Sequence, residues 1–300
     1  MTGPAVFPVV NVDLWSATKK CFHLYLQMLG KVRLALSPAQ PNWMFTALHL
    51  SARGVTTGTI PWRGTSIEAF LDVFSSEIIV QRSNGDVARV KLLPARTVAE
   101  IYAELTSALV AIGVECAITT VPQELPDTTP LHLDDRPGSY EPEAVLRWFS
   151  AATAASGIFE VWRAHFFGRT GIQVWWGAFD VALLLFSGKR VPPPTDRGYI
   201  MKYDLDAELM NVGLYFGDES TAPFFYGYIF PQPPAPSALH IAPASASWSA
   251  TLGEWVLPYE TVRTAPDPAA ELGAFLDAIY GHCIASAGWD SDAHRYDSPK

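Results

Sequence analysis

The sequence has few cysteines, few charged residues and no long apolar run. Its 300 residues include three scattered cysteines without CxxC spacing, and charged side chains make up 17% with a formal net charge of −9. So few cysteines argue against a disulfide framework and favour a reducing, cytoplasmic setting. The lack of a basic run excludes nucleic acid and an anionic membrane surface as partners. No apolar run approaches the ~20 residues of a membrane span.

The common motifs for phosphate, acyl and metal chemistry are also missing. The chain contains no GxxxxGK[ST], GxGxxG or GxSxG segment, and none of its seven histidines forms an HExxH or HxH pair. An SxxK spacing from Ser16 to Lys19 lacks its SDN and KTG companions and is interpreted as chance. We therefore predict that the protein uses no cofactor and no metal.

Aromatic residues, by contrast, are abundant. The chain is 49% hydrophobic and 12% aromatic, with ten Trp, sixteen Phe and eleven Tyr. Ligand pockets favour aromatic walls, so part of this set is a candidate cavity lining. The alternative, that these residues fill a large core, stays open at this point.

Short segments recur in the same order along the chain, which predicts an internal duplication. We place a first repeat at 1–121, a proline-rich and acidic linker at 122–142, and a second repeat at 143–300 with a proline-rich insertion at 231–243. The recurring segments are LPARTV at 93–98 with LPYETV at 257–262, Gly30-Lys31 with Gly168-Arg169, and Ser51-Ala52-Arg53 with Ser187-Gly188-Lys189.

Hydrophobic periodicity predicts the elements of each half. The first half begins with a helix over 15–29 that Gly30 ends, followed by a hairpin of strands at 32–36 and 43–51. Short connections favour antiparallel pairing, so we predict an α+β fold of two pseudo-repeated halves, each an antiparallel sheet with flanking helices. Further strands are predicted at 67–74, 77–82, 87–92, 172–176, 178–186, 208–216, 224–230 and 247–257, and further helices at 98–112, at 143–167 with a candidate break at Gly157, and from an Asp267 cap to residue 284.

Three groups of residues resemble the signatures of a bacterial family classed only as a domain of unknown function. They are His23 to Gln27 with Gly30 to Leu36, Ser51 to Gly54 and Thr56-Thr57; Trp176 to Asp180 with Phe186 to Arg190; and Leu257 to Glu260 with Ala287 to Asp290. The resemblance covers nearly the whole chain and carries no assigned activity.

The chain departs from that family at several positions. Where the family places histidine or acidic residues, this chain has Phe70, Ser76, Gln173 and Ala207, whereas Glu68, Asp72 and Glu208 match. If the family uses those side chains as metal ligands or bases, the resemblance implies that this chain has lost that use.

Two polar stripes in the first half are candidate sites. His49, Ser51 and Arg53 alternate along one strand, where His49 has the chemistry of a general base and Arg53 that of a carboxylate or phosphate ligand. Glu68 and Asp72 share a strand face with Phe70 and would act as an acid/base pair if one were buried. The alternative for both stripes is an ordinary solvent-facing side of an antiparallel sheet.

The second half offers other candidates. Asp180 lies within an apolar strand, where a charge needs either a structural partner or a catalytic use. Tyr226 and Tyr228 share a strand face, and with neighbouring tryptophans they are candidates to wall a cavity. Asp204, Asp206 and Glu208 also alternate, which is more typical of a solvated strand edge than of a cation site.

We therefore predict a protein that binds a mostly apolar or aromatic small molecule between its two halves, as a cofactor-independent isomerase, cyclase or lyase of specialised metabolism. A non-catalytic structural or interaction protein is the alternative. The candidate catalytic residues are Glu68, Asp72, His49 and Asp180, and the candidate ligand-binding residues are Arg53, Phe70, Gln173, Trp176, Ala207, Glu208, Tyr226 and Tyr228.

Overall fold

The computed structural model describes residues 7–195, 203–233 and 241–296. Contacts divide the chain into two compact units. The first-sheet unit comprises Asp13–Phe149 and Val174–Phe179, and the second-sheet unit comprises the described residues of Met1–Val12, Ser150–Gln173 and Asp180–Lys300. Each sheet is antiparallel and is accompanied by helices, which confirms the predicted α+β class.

The first sheet is a meander that follows a long helix. Helix α1 spans Val12–Leu36, and a second helix, α2, spans Val98–Ala111. The strands run in the order β1-β2-β4-β5-β6, with β3 paired to β4. The strands are β1 (His49–Ser51), β2 (Gly54–Thr56), β3 (Ile60–Trp62), β4 (Thr65–Asp72), β5 (Glu77–Arg82) and β6 (Val87–Lys91), with 3-10 helices at Pro41–Trp43 and Leu131–Leu133.

The second sheet is also a meander, with strands in the order β11-β12-β10-β9-β8-β7. Helix α3, Pro142–Arg163, precedes it. The strands are β7 (Gln173–Trp175), β8 (Asp180–Arg190), β9 (Ala207–Tyr215), β10 (Phe224–Phe230), β11 (Ser247–Ser249) and β12 (Glu254–Pro258), and the later helices are α4 (Tyr259–Thr264), α5 (Pro268–Ala287) and α6 (Ser291–His294).

Aromatic side chains fill the core of each unit. In the first-sheet unit the Phe22 ring lies 4.9 Å from Trp148 and 5.8 Å from Phe179, measured between ring centroids. In the second-sheet unit Phe225 stacks on Tyr259 at 6.1 Å. Many of the abundant aromatic residues therefore serve as core.

The predicted hairpin at 32–36 and 43–51 is wrong over most of its length. Helix α1 continues through Gly30 to Leu36, and in the second segment only His49–Ser51 is a strand. Gly30 does not end the helix. A Cβ there would lie 2.2 Å from the Trp176 ring, so the glycine permits a close approach of that ring.

Other local predictions fit the structure. Gly85 has φ 99° at the turn between β5 and β6, the positive φ expected of an Asn-Gly hairpin. Asp267 caps α5 by accepting hydrogen bonds from two backbone amides, and Pro268 is its first residue. Helix α3 runs through Gly157 without a break, so that expectation is wrong.

The structure describes the whole of the predicted linker and part of the predicted insertion. Residues 122–142 lie inside the first-sheet unit, where the Gln123 carbonyl accepts a hydrogen bond from Gln27. Of the proline-rich segment 231–243, residues 234–240 lie outside the described residues.

In the part of the chain that is described, no helix has both the length and the apolarity needed to cross a membrane.

Candidate functional site

Five side chains lie on one face of the second sheet and form the best candidate site. Residues paired across antiparallel strands point to the same side of a sheet. Tyr226 pairs with Gly213 on β9 and with Val256 on β12, and Tyr228 pairs with Asn211. Glu254 lies two residues before Val256 and therefore on the same face. We call this set the carboxyl–tyrosine face; its members are Asp180, Asn211, Tyr226, Tyr228 and Glu254.

A glycine allows the central contact of this face. The Tyr226 hydroxyl donates a hydrogen bond to the carboxylate of Asp180. The Tyr226 ring reaches that carboxylate across Gly213, where a Cβ would lie 2.6 Å from the Tyr226 oxygen. Glycine inside a strand often marks such a close approach, and here it places a phenol beside a buried acid. This bond supplies the partner that a buried charge on β8 requires.

The second tyrosine lies beside the first. The rings of Tyr226 and Tyr228 are nearly parallel, with centroids 6.4 Å apart and an interplanar angle of 13°. The side-chain Nδ2 of Asn211 donates to the Tyr228 hydroxyl at 3.0 Å. Asn211 is 8% exposed, and its Oδ1 accepts no hydrogen bond from any described residue. Buried amide oxygens are rarely left unbonded, so this atom marks a place where a donor is missing.

Glu254 has the electrostatic character of a proton-transfer group. Burial, followed by the negative charge of Asp180, raises the pKa of Glu254 to about 7. Its side chain is half-buried and forms no hydrogen bond or ion pair with the described residues. A carboxyl that is partly protonated at neutral pH can both donate and accept a proton, which is the property of a general acid/base.

The two tyrosines remain protonated on this face. Burial and the charge of Asp180 raise the pKa of Tyr226 well above its ordinary value. Burial and the charge of Asp204 likewise raise the pKa of Tyr228. Both phenols are therefore hydrogen-bond donors rather than bases at neutral pH.

Asp72 and Arg53 on the first sheet form an ion pair. Arg53 Nε donates to Asp72 Oδ2 at 2.6 Å, and Asp72 Oδ1 accepts from the backbone amides of Phe74 and Ser75 at 2.9 and 3.1 Å. Burial would raise the pKa of Asp72, but the bond from Arg53 and the two amides hold that pKa below its ordinary value. Asp72 is thus an ionised turn cap, and its predicted acid/base use stays a prediction.

The other first-sheet candidates lie on one face with their partners. Glu68 accepts hydrogen bonds from Thr56 Oγ1 at 2.5 Å and from Gln81 Nε2 at 2.8 Å. Thr56 pairs with both His49 and Phe70, so these two residues share its side of the sheet. The predicted catalytic set is therefore divided, because His49, Glu68 and Asp72 belong to the first-sheet unit and Asp180 to the second.

The remaining predicted ligand-binding residues of the second-sheet unit make other contacts. Gln173 is buried near Thr170, whose hydroxyl lies 3.5 Å from its Oε1. Glu208 accepts from Ser187 Oγ at 2.7 Å, and Ala207 pairs with Arg190 at the start of β9. Of the predicted set, the face brings together Asp180, Tyr226 and Tyr228.

Trp176 belongs to a buried polar network of the first-sheet unit. Its indole Nε1 donates to the Thr46 carbonyl at 2.9 Å, and its own carbonyl accepts from His23 Nε2 at 2.7 Å. Burial lowers the pKa of His23 to about 4, so the imidazole is neutral at pH 7. Lys31, 2% exposed, donates to Thr119 Oγ1 and to the Val121 carbonyl at 2.9 and 2.8 Å. This network ties α1 to the segments at 119–123 and 176, which is a structural role.

The second-sheet unit also has a surface groove of about 910 Å³ between α3 and α5. Its walls include Ile158, Val161 and Phe166. Asp277 in its wall accepts a hydrogen bond from Trp162 Nε1 at 2.9 Å, and the Arg295 guanidinium lies 6.0 Å from the Phe166 ring. The groove has the volume of a ligand site, but its two carboxyls already accept hydrogen bonds within the fold, Asp267 from the first amides of α5 and Asp277 from Trp162.

Sequence reasoning missed Asn211 and Glu254. Asn211 lies among apolar residues in the later part of β9, and Glu254 is the one charged residue of β12, a signal like the one that singles out Asp180. Applied to β9 and β12, that signal would have found both residues. Across the described residues, no group of three histidine, cysteine or acidic side chains is placed to hold a metal ion.

Comparison with known proteins gives a family and no activity. No curated protein and no solved structure matches the chain. A family model described as a family of unknown function (DUF5996) matches residues 7–296. Because that match covers nearly the whole chain, the protein belongs to the DUF5996 family.

Proposed function

We propose that the carboxyl–tyrosine face binds a mostly apolar or aromatic small molecule and transfers protons to and from it without a cofactor. The reaction class is that of an isomerase, cyclase or lyase. The observation that carries the proposal is the placement of Glu254, with a pKa of about 7, on the same face as Asp180 and its bonded Tyr226. Two acids in different environments are the usual means of separating acid and base roles.

The two tyrosine rings supply the apolar surface. Tyr226 is 7% exposed, whereas Tyr228 is half-buried, so the Tyr228 ring and the Glu254 carboxyl are the parts that a ligand reaches. Aromatic rings add favourable ring contacts to the burial of apolar area, and their hydroxyls orient a polar substituent.

Each residue has a distinct role in this proposal. Glu254 moves the proton, since it is the carboxyl that titrates near neutral pH. Asp180 acts through its charge, which raises the pKa of Glu254, and through the bond that orients Tyr226. Tyr228 forms the wall and donates from its hydroxyl.

The test is a binding titration read at single tyrosines. Protein with ¹³C-labelled tyrosine rings is titrated with phenol, indole and benzyl alcohol, and the Tyr226 and Tyr228 signals are followed by NMR. We expect both signals to shift with one saturation curve, while that of Tyr102 on α2 stays unchanged. Tyr228→Ala should weaken binding about three- to tenfold, the usual value of one aromatic pair.

Tyr296→Ala, in the wall of the α3–α5 groove, is the matched control and should leave the affinity unchanged. Shifts confined to Tyr280 and Tyr296 would contradict the proposal. They would favour the alternative of a non-catalytic interaction protein, for which the groove and the exposed Val161 in its wall are the supporting observations.

We also propose a cytoplasmic setting. Cys21 and Cys116 are free thiols, which suits a reducing compartment. Oxidation of purified protein with a mild disulfide-forming reagent should not stabilise it, and a higher melting temperature after oxidation would count against this setting.

A further inference from the structure

Two side chains of the carboxyl–tyrosine face, Asn211 and Glu254, have unused acceptor oxygens, and the Tyr228 hydroxyl lies beside Asn211 as a donor. Asn211 Oδ1 is buried and accepts no hydrogen bond from the described residues, because the amide nitrogen of the same side chain is the end bonded to Tyr228. The Glu254 carboxyl has no hydrogen-bond or ion-pair partner among those residues. A ligand that satisfies both groups must bring N–H or O–H donors.

The charge on this face has one sign. The charges that act on Tyr228 are those of Asp204, Glu254 and Asp180, and Asp180 and Glu254 also act on Tyr226. None of the five residues that define the face is basic. Anionic ligands would meet like charges in a partly buried place, whereas a cation would relieve the repulsion between the acids.

The rings add a further preference for a cation. Tyr226 and Tyr228 lie nearly parallel, and a tyrosine face attracts an ammonium group through its ring quadrupole. Acceptors, negative charge and aromatic faces thus point to the same kind of ligand.

We propose that the ligand of the carboxyl–tyrosine face is an alkylamine that carries an aromatic ring, in its ammonium form, whose N–H groups bind Asn211 Oδ1 and the Glu254 carboxylate while its ring contacts Tyr228. This inference rests on the proposed function, because it names the substrate class of the same site.

The experiment compares three probes that share one ring. Calorimetric titrations at pH 7 use 4-hydroxyphenethylamine, 4-hydroxyphenethyl alcohol and 4-hydroxyphenylacetate. The amine is expected to bind at least about tenfold more tightly than the alcohol, as a charge-assisted hydrogen bond provides, and the acetate should bind most weakly. Glu254→Gln should reduce the affinity for the amine to within about threefold of the affinity for the alcohol. Glu271→Gln on α5 is the matched control.

Proton release gives a second readout that does not depend on the variant. Because Glu254 is partly protonated at pH 7, an ammonium bound beside it should displace up to about half a proton. Calorimetric titrations in phosphate and in Tris, whose ionisation enthalpies differ, measure the number of protons released on binding. The alcohol should release none.

The outcomes separate the inference from the proposed function. Equal affinity for the amine and the alcohol, or tighter binding of the acetate, would overturn the amine inference while an aromatic ligand still binds. Failure of all three probes to bind at about 10 mM would contradict the proposed function itself.

Discussion

At the scale of single residues, buried polar groups divide into those that hold the fold and those available for chemistry. Asp72 and Lys31 are bonded to neighbouring groups of the first-sheet unit. Asn211 and Glu254 lie on a sheet face and retain unused acceptors. Residue type alone does not separate the groups, because the difference lies in partners that long-range pairing brings together.

His23 gives the first prediction, a pH dependence of stability. Its folded pKa is lowered from 6.5 to about 4, so between these values the unfolded chain binds a proton that the folded chain does not. The contribution of neutral His23 to the free energy of unfolding is therefore fully present above about pH 6.5. It falls by about 3 kcal/mol in total as the pH is lowered to 4.

Urea unfolding at several pH values measures this effect. Between pH 7 and pH 4, the free energy of unfolding of His23→Gln should fall by about 2 to 3 kcal/mol less than that of the wild type, because the glutamine amide does not titrate. Exposed His165, changed to glutamine, is the control and should follow the wild-type curve. Identical pH slopes for His23→Gln and the wild type would show that the imidazole is not held neutral by burial.

At the scale of elements, local patterns predicted most of the strands and helices. The strand at 224–230 and the Asn-Gly hairpin follow from alternation and from turn chemistry, both local properties. The region after Gly30 was missed for a non-local reason. The space beside that glycine is filled by Trp176, which is far away in sequence, so a glycine that looked like a helix stop is a packing position.

Gly30→Ala tests that explanation. A Cβ at Gly30 would lie 2.2 to 2.3 Å from three atoms of the Trp176 ring, so the ring must move and its bond to the Thr46 carbonyl must weaken. We expect a loss of about 1 to 3 kcal/mol in unfolding free energy, the usual cost of overpacking.

Gly157→Ala is the matched control for this substitution. Gly157 lies in the interior of α3, and no atom lies within 4 Å of the place that an alanine methyl group would take. Because alanine has the higher helix propensity, this substitution should raise the free energy of unfolding by about 0.5 to 1 kcal/mol. Chemical denaturation of both variants measures the contrast. Stabilisation by both substitutions would mean that Trp176 does not pack against α1.

At the scale of the whole molecule, the two halves share an order of elements, while the predicted duplication stays a prediction. Both halves follow a helix, an antiparallel meander and a further helix. The LPARTV and LPYETV segments each lie where the last meander strand, β6 or β12, meets the following helix. The other anchors occupy unlike places, since Gly30 is inside α1 whereas Gly168 follows α3. Fold class was therefore predictable from the sequence.

The candidate site was predictable only in part. Asp180, Tyr226 and Tyr228 stood out because a charge in an apolar strand and a tyrosine pair are visible in one segment. Their juxtaposition with Asn211 and Glu254 depends on the register of four strands, β8, β9, β10 and β12, and on Gly213 leaving room for a ring. Register of this kind comes from pairing distant segments, which one strand's pattern does not specify.

The proposed proton-transfer role of the carboxyl–tyrosine face is tested most sharply by a carboxyl ¹³C NMR titration of Glu254, assigned by comparison with Glu254→Gln. We expect a midpoint near pH 7 and a lower midpoint in Asp180→Asn, because the Asp180 charge contributes to the shift. A midpoint close to the ordinary value of 4.5 in the wild type, unchanged in Asp180→Asn, would contradict that role.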